Sequence, residues 1–225
     1  MGVPIPTSGS EAPAAAPRLS FSIEDGGVLK PSAVPTLRFG LRIDSGGAPV
    51  RSVALNIQLR IAATQRTYSD HDEEHLSELF GRPEQWKQTL RSLHWTNVGL
   101  QVGPFTDTTL VELPVTCTYD LEVTAASYFH ALQDGEVPLE FLFGGAMFYT
   151  GPDGGLQVQP LSWSSEANYR LPVSAWREMM DRHFPNAAWL RVQRDVFERL
   201  HAYRARHALL TWEDTLDSLL REDRP

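Results

Sequence analysis

Three residues between positions 67 and 81 have types and spacing that could bind a metal ion. His71, Glu74 and His75 form the pattern His-x-x-Glu-His, which is the signature of the inverted zinc peptidases. Two histidines at i and i+4 on one helix face could supply two ligands. A catalytic zinc ion needs three protein ligands and an open position in a sheltered cleft. The alternative is that these residues belong to the charged first turn of an ordinary helix.

The helix that would carry the motif turns it toward solvent. Its apolar stripe is formed by Leu76, Leu79 and Phe80. At about 100° per residue, both histidines lie well to the side of this stripe, and Glu74 lies nearly opposite it. The motif therefore points away from a packed cavity, which does not suit a catalytic zinc ion.

Helix capping explains the charged residues of this turn without a metal ion. Ser69 or Asp70 is a natural N-cap, and Asp72 or Glu73 falls at the capping-box position. Acidic side chains in a first turn also interact favourably with the positive end of the helix dipole. We therefore predict no catalytic residue, no cofactor and no metal site. The weak metal candidates that remain are His71, Glu74 and His75.

Other residues of catalytic type are predicted to be structural. Cys117 lies in an alternating segment with apolar neighbours and is predicted to be a core residue. His130 follows aromatic residues and is predicted to be a structural histidine. The tryptophans near the C-terminal region are predicted to lie mostly in the core: Trp163, Trp176, Trp189 and Trp212. The sequence contains no Gly-x-Ser-x-Gly elbow, no P-loop and no Gly-x-Gly-x-x-Gly motif.

Four acid–glycine segments could in principle hold calcium at one end of a sandwich domain. They are EDGG (24–27), DSGG (44–47), QDGE (133–136) and PDGG (152–155). A calcium site needs several acidic side chains that converge from two or three loops. Each segment offers one or two acids beside glycines that hairpins need, so we predict turns.

The elements that must position these residues are mainly strands. Apolar and polar residues alternate in four segments before residue 103 and in several later ones up to about residue 163. The first four segments are 19–23, 37–43, 53–61 and 98–102. Period-two alternation is typical of strands with one buried face. Roughly eight or nine short antiparallel strands are typical of a β-sandwich, with DSGG as the turn between the second and third.

Helical patterns interrupt and then follow the strands. We predict a disordered leader at 1–18, a β-sandwich at 19–171 with a helical insertion at about 70–92, and C-terminal helices at 172–225 packed on the sandwich. In the last region apolar residues recur at helical spacing, and Thr211 is placed to cap the final helix with Asp214 three residues later.

Charge is distributed unevenly along the 225-residue chain, whose formal net charge is −8. No Lys or Arg occurs between Ser92 and Tyr169, whereas the same span contains nine acidic residues. An acidic middle repels phosphate, so a nucleic-acid partner is not expected. The acids could face the C-terminal arginines of the same chain, a partner protein, or solvent.

Sequence composition also indicates the cellular compartment of the protein. The richest apolar stretch, VPLEFLFGGAMFY, is too short to span a bilayer and contains Glu140, so no membrane partner is predicted. The start of the sequence has no signal-peptide pattern. The single cysteine rules out an internal disulfide and fits a reducing compartment. We therefore predict a cytoplasmic protein.

Several continuous stretches resemble an uncharacterised family of actinobacterial cytoplasmic proteins over about residues 19–220. They are LFGRPEQWKQTLRSLHWTNV, PFTDTTLVELPVTCTYDLEV, YFHALQDGEVPLEFLFGGAMFY and RLPVSAWREMMDRHFPNAAWLRV. The resemblance implies an association with nickel–iron hydrogenase gene clusters, and it carries over no functional residues. Our first hypothesis is a non-catalytic protein-interaction or accessory protein linked to hydrogenase assembly or function. The alternatives are a metal-dependent hydrolase that uses the histidine motif and a ligand-binding β-sandwich. The oligomeric state is left open.

Overall fold

The computed structural model describes residues 17–117, 123–162, 164–185 and 192–222. These residues form seven strands, all paired antiparallel. The strands are β1 (Ser20–Val28), β2 (Thr36–Ile61), β3 (Leu93–Val102), β4 (Phe105–Thr116), β5 (Glu136–Thr150), β6 (Leu156–Pro160) and β7 (Glu166–Pro172). The predicted architecture, mainly β and antiparallel with added helices, is confirmed.

β2 is one strand of 26 residues, where the sequence predicts two strands and a turn at DSGG. Within that segment Gly46 and Gly47 have φ values of +63° and +84°. Ser45 Oγ donates to the carbonyl oxygen of Ala48 at 2.6 Å, and the register with β4 shifts at this point. Such a bulge bends a strand without ending it. The turn residues therefore produce a kink, which corrects the predicted hairpin and lowers the predicted strand number.

The kink lets β2 belong to two halves of the sheet. Its first half pairs with β1 and β4, and its second half pairs with β3 and β5. β5 in turn pairs with β6 and β7. Aromatic rings from the two halves meet, with centroids 5.1 Å apart for Phe39 and Phe141 and 4.3 Å apart for Phe21 and Phe143. The halves thus enclose one layer of apolar side chains, as in a sandwich.

Alternation fills this core as the sequence predicts. Along the first half of β2, the fully buried side chains are Leu37, Phe39, Leu41 and Ile43. The intervening Arg38 and Arg42 point outward and pair with Asp25 and Glu24 of β1. EDGG therefore lies within β1, at a point where the register with β2 shifts. It is a bulged strand segment, which corrects the predicted turn.

The described residues form six α-helices and two short 3-10 helices. The α-helices are α1 (Asp70–Phe80), α2 (Trp86–Thr89), α3 (Val123–Ala131), α4 (Val173–His183), α5 (Arg194–Arg206) and α6 (Trp212–Glu222). The 3-10 helices are Ala63–Gln65 and Pro83–Gln85. α1 and α2 form the helical insertion that the sequence predicts.

α3 is a helix that the sequence reasoning missed. The alternation around Cys117 predicts a strand, CTYDLEV, that continues to Val123; residues 118–122 of it lie outside the described residues, and Val123 begins the helix. The buried residues of α3 are Ala125, Ala126, Tyr128, Phe129 and Ala131. Only Thr124, Ser127 and His130 carry the polar side of this nine-residue helix, so the 3.6-residue period that would reveal it is weak.

α4 packs into the core of the sheet. Its buried residues are Val173, Trp176, Met179 and Met180. The ring of Trp176 stacks on Phe129 at 4.4 Å between centroids, and Trp95 contacts both rings. The described residues up to 185 form one compact unit, which therefore includes α4.

The described residues from 192 onward form a second compact unit, the helical hairpin of α5 and α6. Trp212 packs against Phe197 and Arg204, at 5.3 Å between ring centroids and 4.3 Å from the guanidinium carbon. Thr211 and Asp214 form the predicted reciprocal cap, at 3.0 and 3.3 Å. Packing of these two helices on the sandwich stays a prediction, as does the disordered leader, of which residues 1–16 lie outside the described residues.

Among the described residues, no helix has the length and apolar content needed to cross a membrane.

Candidate functional site

The structure places His71, Glu74 and His75 on the exposed side of α1. The two imidazole rings stack at 4.1 Å between centroids, and His75 Nδ1 lies 2.8 Å from the carbonyl oxygen of His71. Within the described residues, no three His, Cys, Asp or Glu side chains are grouped so that they could hold a metal ion. The geometry therefore offers two exposed imidazoles and no sheltered third ligand.

Replacing both histidines with alanine is expected to leave the fold unchanged. Exposed substitutions usually change the free energy of unfolding by less than about 0.5 kcal/mol, so the melting temperature of the double variant should match that of the parent. Metal analysis of purified protein should find no stoichiometric zinc in either. The matched control is His130→Ala, an exposed histidine on α3. One zinc ion per chain that is lost only in the double variant would restore the metal-site hypothesis.

The buried member of this stretch is Asp72, which the sequence placed at the capping-box position. Ser69 caps α1: its Oγ accepts from the Asp72 amide at 3.2 Å, and the Asp72 carboxylate accepts from the Ser69 amide at 3.4 Å. The same carboxylate accepts from Arg66 at 3.4 Å and from the backbone N–H of Gln133 at 2.9 Å. The side chains of Arg66 and Asp72 are 7% and 4% exposed. One carboxylate thus joins a helix cap to a loop 61 residues away in sequence.

Asp72 is ionised despite its burial. Burial by itself would raise the pKa of Asp72, but the backbone N–H groups of Gln133 and Ser69 and the Arg66 guanidinium outweigh it and hold the pKa below its ordinary value. Arg66 Nε is buried and has no hydrogen-bond partner within the described residues. A buried ion pair of this kind contributes little net stability compared with apolar side chains in the same place. Its main consequence here is that it holds neighbouring backbone groups in position.

Two tyrosines complete the buried polar cluster. Tyr68 donates its hydroxyl hydrogen to the carbonyl oxygen of Ala63 at 2.6 Å, and its oxygen lies 2.8 Å from that of Tyr128. Because the Tyr68 hydrogen is already used, Tyr128 is the donor between the two hydroxyls. Burial raises the pKa of both phenols. Both therefore stay protonated at neutral pH and do not act as bases.

This cluster fixes the loop at 132–136 that leads from α3 into β5. Arg66 donates to the carbonyl oxygens of Asp134 and Glu136, each at 2.7 Å. From α4, Arg177 donates to the carbonyl oxygen of Leu132 at 2.6 Å. The backbone N–H of Val173 donates to Gly135, whose φ is +78°. These four hydrogen bonds, together with the one from the Gln133 amide to Asp72, hold the loop backbone in place, while the side chains of Gln133, Asp134 and Glu136 stay exposed.

An open groove of about 800 Å³ lies between this loop and α4. The charged residues that line it are Asp134, Arg177, Glu178, Asp181 and Arg182. Glu178 pairs with Lys30 and, at 3.6 Å, with Arg182. Hydrogen bonding to Lys30 lowers the pKa of Glu178, so that carboxylate is charged. Small-molecule sites are mostly apolar and concave, whereas this surface presents both signs of charge to solvent.

The other predicted residues that the structure describes lie in different parts of the fold. Cys117 is buried, as predicted, directly after β4. Trp176 lies in the core and Trp212 is half-buried in the hairpin, while Trp163 and Trp189 lie outside the described residues. His130 is exposed on α3, which corrects its prediction as a structural histidine.

The aromatic residues of the strands do not form a solvent-facing row. No aromatic side chain on the described strands is exposed, so the arrangement that would favour a carbohydrate-binding sandwich is lacking there. QDGE forms the anchored loop just described. PDGG forms the turn between β5 and β6, where the Asp153 carboxylate accepts from Gly155 at 3.1 Å.

The acidic span does not form one continuous face. Glu112 of β4 lies opposite Gly40, between the registers of Arg38 and Arg42, so basic residues of β2 share its side of the sheet. Glu140 accepts from Gln65 at 3.0 Å. Asp120 and Glu122 lie outside the described residues. Among the described acids of this span, none forms an ion pair within the described residues.

The chain is similar to several solved structures at low sequence identity. The CARDB domain of a Pyrococcus furiosus protein, solved with metal ions, is 12% identical over 70% of this chain and 88% of that chain, with a TM-score of 0.28. The putative ApaA protein of Bordetella pertussis is 12% identical over 69% and 94%, with a TM-score of 0.26. A putative late embryogenesis abundant protein is 16% identical over 69% and 72%, with a TM-score of 0.29.

No curated protein matches this sequence. A family model matches residues 16–225, which include every strand and helix described above. The chain therefore belongs to the family of unknown function DUF6084.

Proposed function

We propose that this chain is a non-catalytic accessory protein that binds another protein through the groove beside the loop at 132–136. The supporting observation is the fixed backbone of that loop. Arg66, Asp72 and Arg177 hold it from both sides. Fixing a loop in advance lowers the entropy lost on binding. The exposed Gln133 and Asp134 side chains are thereby presented in one arrangement.

The charges of the groove indicate the kind of surface that fits it. Asp134 and Asp181 carry negative charge at positions without an ion pair in the described residues, whereas Arg182 and Lys30 share Glu178. Complementary charges across an interface provide specificity and speed association. A protein segment with basic residues opposite Asp134 and Asp181 fits this pattern.

Reversing these two charges is expected to abolish partner binding. Asp134→Arg with Asp181→Arg places like charges against the partner, which costs several kcal/mol at an interface, or more than about a hundredfold in affinity. The tagged full-length chain should be purified from its native host, with co-purifying proteins quantified by mass spectrometry. The binding of the enriched protein should then be measured with purified components.

The matched control changes charge equally at exposed sites outside the groove. Glu78→Arg with Glu84→Arg adds the same positive charge, and neither residue lines the groove. Recovery of the partner should fall for the groove variant and stay at the parental level for the control. Equal recovery with both variants would place the binding surface elsewhere. If nothing is enriched above an unrelated tagged protein, the proposal of a protein-interaction role is wrong.

We further propose that the chain acts in an actinobacterial cytoplasm, with nickel–iron hydrogenase proteins or their maturation factors as partners. Support comes from the sequence resemblance, from the single buried cysteine, and from basic residues that are nearly all arginine, with Lys30 and Lys87 the only lysines. The same purification tests this part separately, because an enriched partner unrelated to hydrogenases would overturn it and leave the interaction role intact.

A further inference from the structure

A recessed cavity of about 570 Å³ lies at one end of the sandwich, where β6 ends and where β1 and β7 begin. Its apolar lining comes from Leu19, Phe21, Met147 and Leu161. Among the described residues that line the groove beside the loop at 132–136, none has a large apolar side chain. Small-molecule sites combine apolar walls with a few polar groups that orient the ligand. This cavity therefore has a lining of the kind that a small molecule needs, which the groove lacks.

The polar side chains around this cavity have unused hydrogen-bonding capacity. Those without a hydrogen-bond or ion-pair partner within the described residues are Arg18, Ser20, Gln159, Ser165 and Glu166. Gln159 is half-buried, and its side-chain oxygen is buried without a donor. Buried polar groups in folded proteins are nearly always hydrogen-bonded, so this amide lacks a partner that a bound molecule could supply.

The backbone beside the cavity is fixed by hydrogen bonds to β5. The amide of Leu161 donates to the carbonyl oxygen of Gly145 at 3.0 Å, and the amide of Phe143 donates to the carbonyl oxygen of Ser165 at 2.8 Å. Phe21 stacks on Phe143 at 4.3 Å between ring centroids. Both ends of the connection between β6 and β7 are thus held in place. A site that is fixed in advance loses less entropy when it binds a ligand.

The two charged residues of the cavity have opposite sign. Arg18 and Glu166 are both exposed, and they do not form an ion pair with each other. A small molecule that carries one negative and one positive group can give each of them an opposite charge, and charge-assisted hydrogen bonds are the strong ones. A free α-amino acid has this chemistry. An aliphatic side chain on it would match the apolar lining.

We propose that this cavity binds a free α-amino acid with an aliphatic side chain. Arg18 and the Ser165 hydroxyl contact its carboxylate, and Glu166 and the Gln159 side-chain oxygen accept from its ammonium group. The aliphatic side chain packs against Phe21 and its apolar neighbours. The cavity shares no residue with the groove beside the loop at 132–136, so this inference is independent of the proposed protein-binding function.

L-leucine is the probe, and its binding to the full-length chain is measured by isothermal titration calorimetry. Two analogues each lack one charged group: 4-methylpentanoate has no ammonium group, and 3-methylbutylamine has no carboxylate. Each is expected to bind at least about tenfold more weakly than leucine, because one charge-assisted contact is lost. Leucine that does not bind at millimolar concentration overturns the proposal. Analogues that bind as tightly as leucine also overturn it, since recognition would then not use both charges.

Substitutions test whether leucine binds in this cavity. Arg18→Gln and Glu166→Gln should each weaken leucine binding by at least about tenfold. The matched controls are Arg60→Gln and Glu84→Gln, which remove the same charges at exposed positions outside the cavity and should bind leucine like the parent. All four variants are expected to keep the parental melting temperature, because exposed substitutions change stability little. Leucine affinity that is unchanged in both cavity variants, or lowered equally in the controls, would show that this cavity is not the site.

Discussion

A chain that ends at Leu171 is expected to lose cooperative unfolding, because the deletion removes α4 from the core. The side chains that leave the core are Val173, Trp176, Met179 and Met180. Each contributes about 1.5–3 kcal/mol when buried, so together they contribute roughly 6–12 kcal/mol. A typical domain has a total margin of about 5–15 kcal/mol. Circular dichroism and calorimetry should therefore find no sharp thermal transition in the shortened chain.

A chain that ends at Pro185 is the matched control for this deletion. It keeps α4 and the other described residues of the first compact unit, so it should retain a sharp thermal transition. Trp176→Ala in the full chain gives a milder test, expected to lower the free energy of unfolding by about 3–5 kcal/mol. If the chain ending at Leu171 melts like the one ending at Pro185, α4 does not contribute to the core as we describe.

Replacing Asp72 with alanine is expected to destabilise the fold strongly. Removing one partner of a buried ion pair costs about 3–5 kcal/mol, since Arg66 would keep its charge without the carboxylate. The backbone N–H of Gln133 would also lose its acceptor. Denaturant unfolding measures the loss. Asp70→Ala, an exposed acid in the same helical turn, is the control and should cost no more than about 1 kcal/mol.

The pH dependence of this effect has a defined sign. The pKa of Asp72 lies below its ordinary value, so its contribution to the free energy of unfolding is complete above about pH 4 and is lost as the pH falls through the lowered pKa. The difference between the parent and Asp72→Asn should therefore be constant from neutral pH to about pH 4 and shrink in stronger acid. A difference that stays constant throughout the acid range would show that the charge of Asp72 does not stabilise the fold.

The effect of Asp72→Ala can also be measured at the loop at 132–136. Asp72→Ala removes one of its anchors, so amide hydrogen exchange at Gln133 should accelerate. Partner binding through the groove should weaken in parallel under the proposed function. Because the groove side chains are unchanged in this variant, the loss would come from loop order alone.

Much of the fold follows from local patterns in the sequence. Alternation of Leu37, Phe39 and Leu41 with Arg38 assigns both the strand and its inner face, because side chains alternate across any strand whatever its partners. The cap formed by Ser69 and Asp72 is equally local, since it joins residues three apart. The exposure of His71 and His75 follows from the helical period for the same reason.

Tertiary structure decided the features that depend on distant partners. Gly46 and Gly47 permit either a turn or a bulge. The segment is a bulge because β4 pairs with β2 on both sides of the kink. Helix α3 escaped detection because only three of its nine residues are polar, which leaves a weak helical period. Asp72 looked like a cap alone, yet its carboxylate also holds Gln133, which is 61 residues away. Sequence periodicity reports which way a side chain points, whereas only the folded chain brings together the groups that a buried charge must contact.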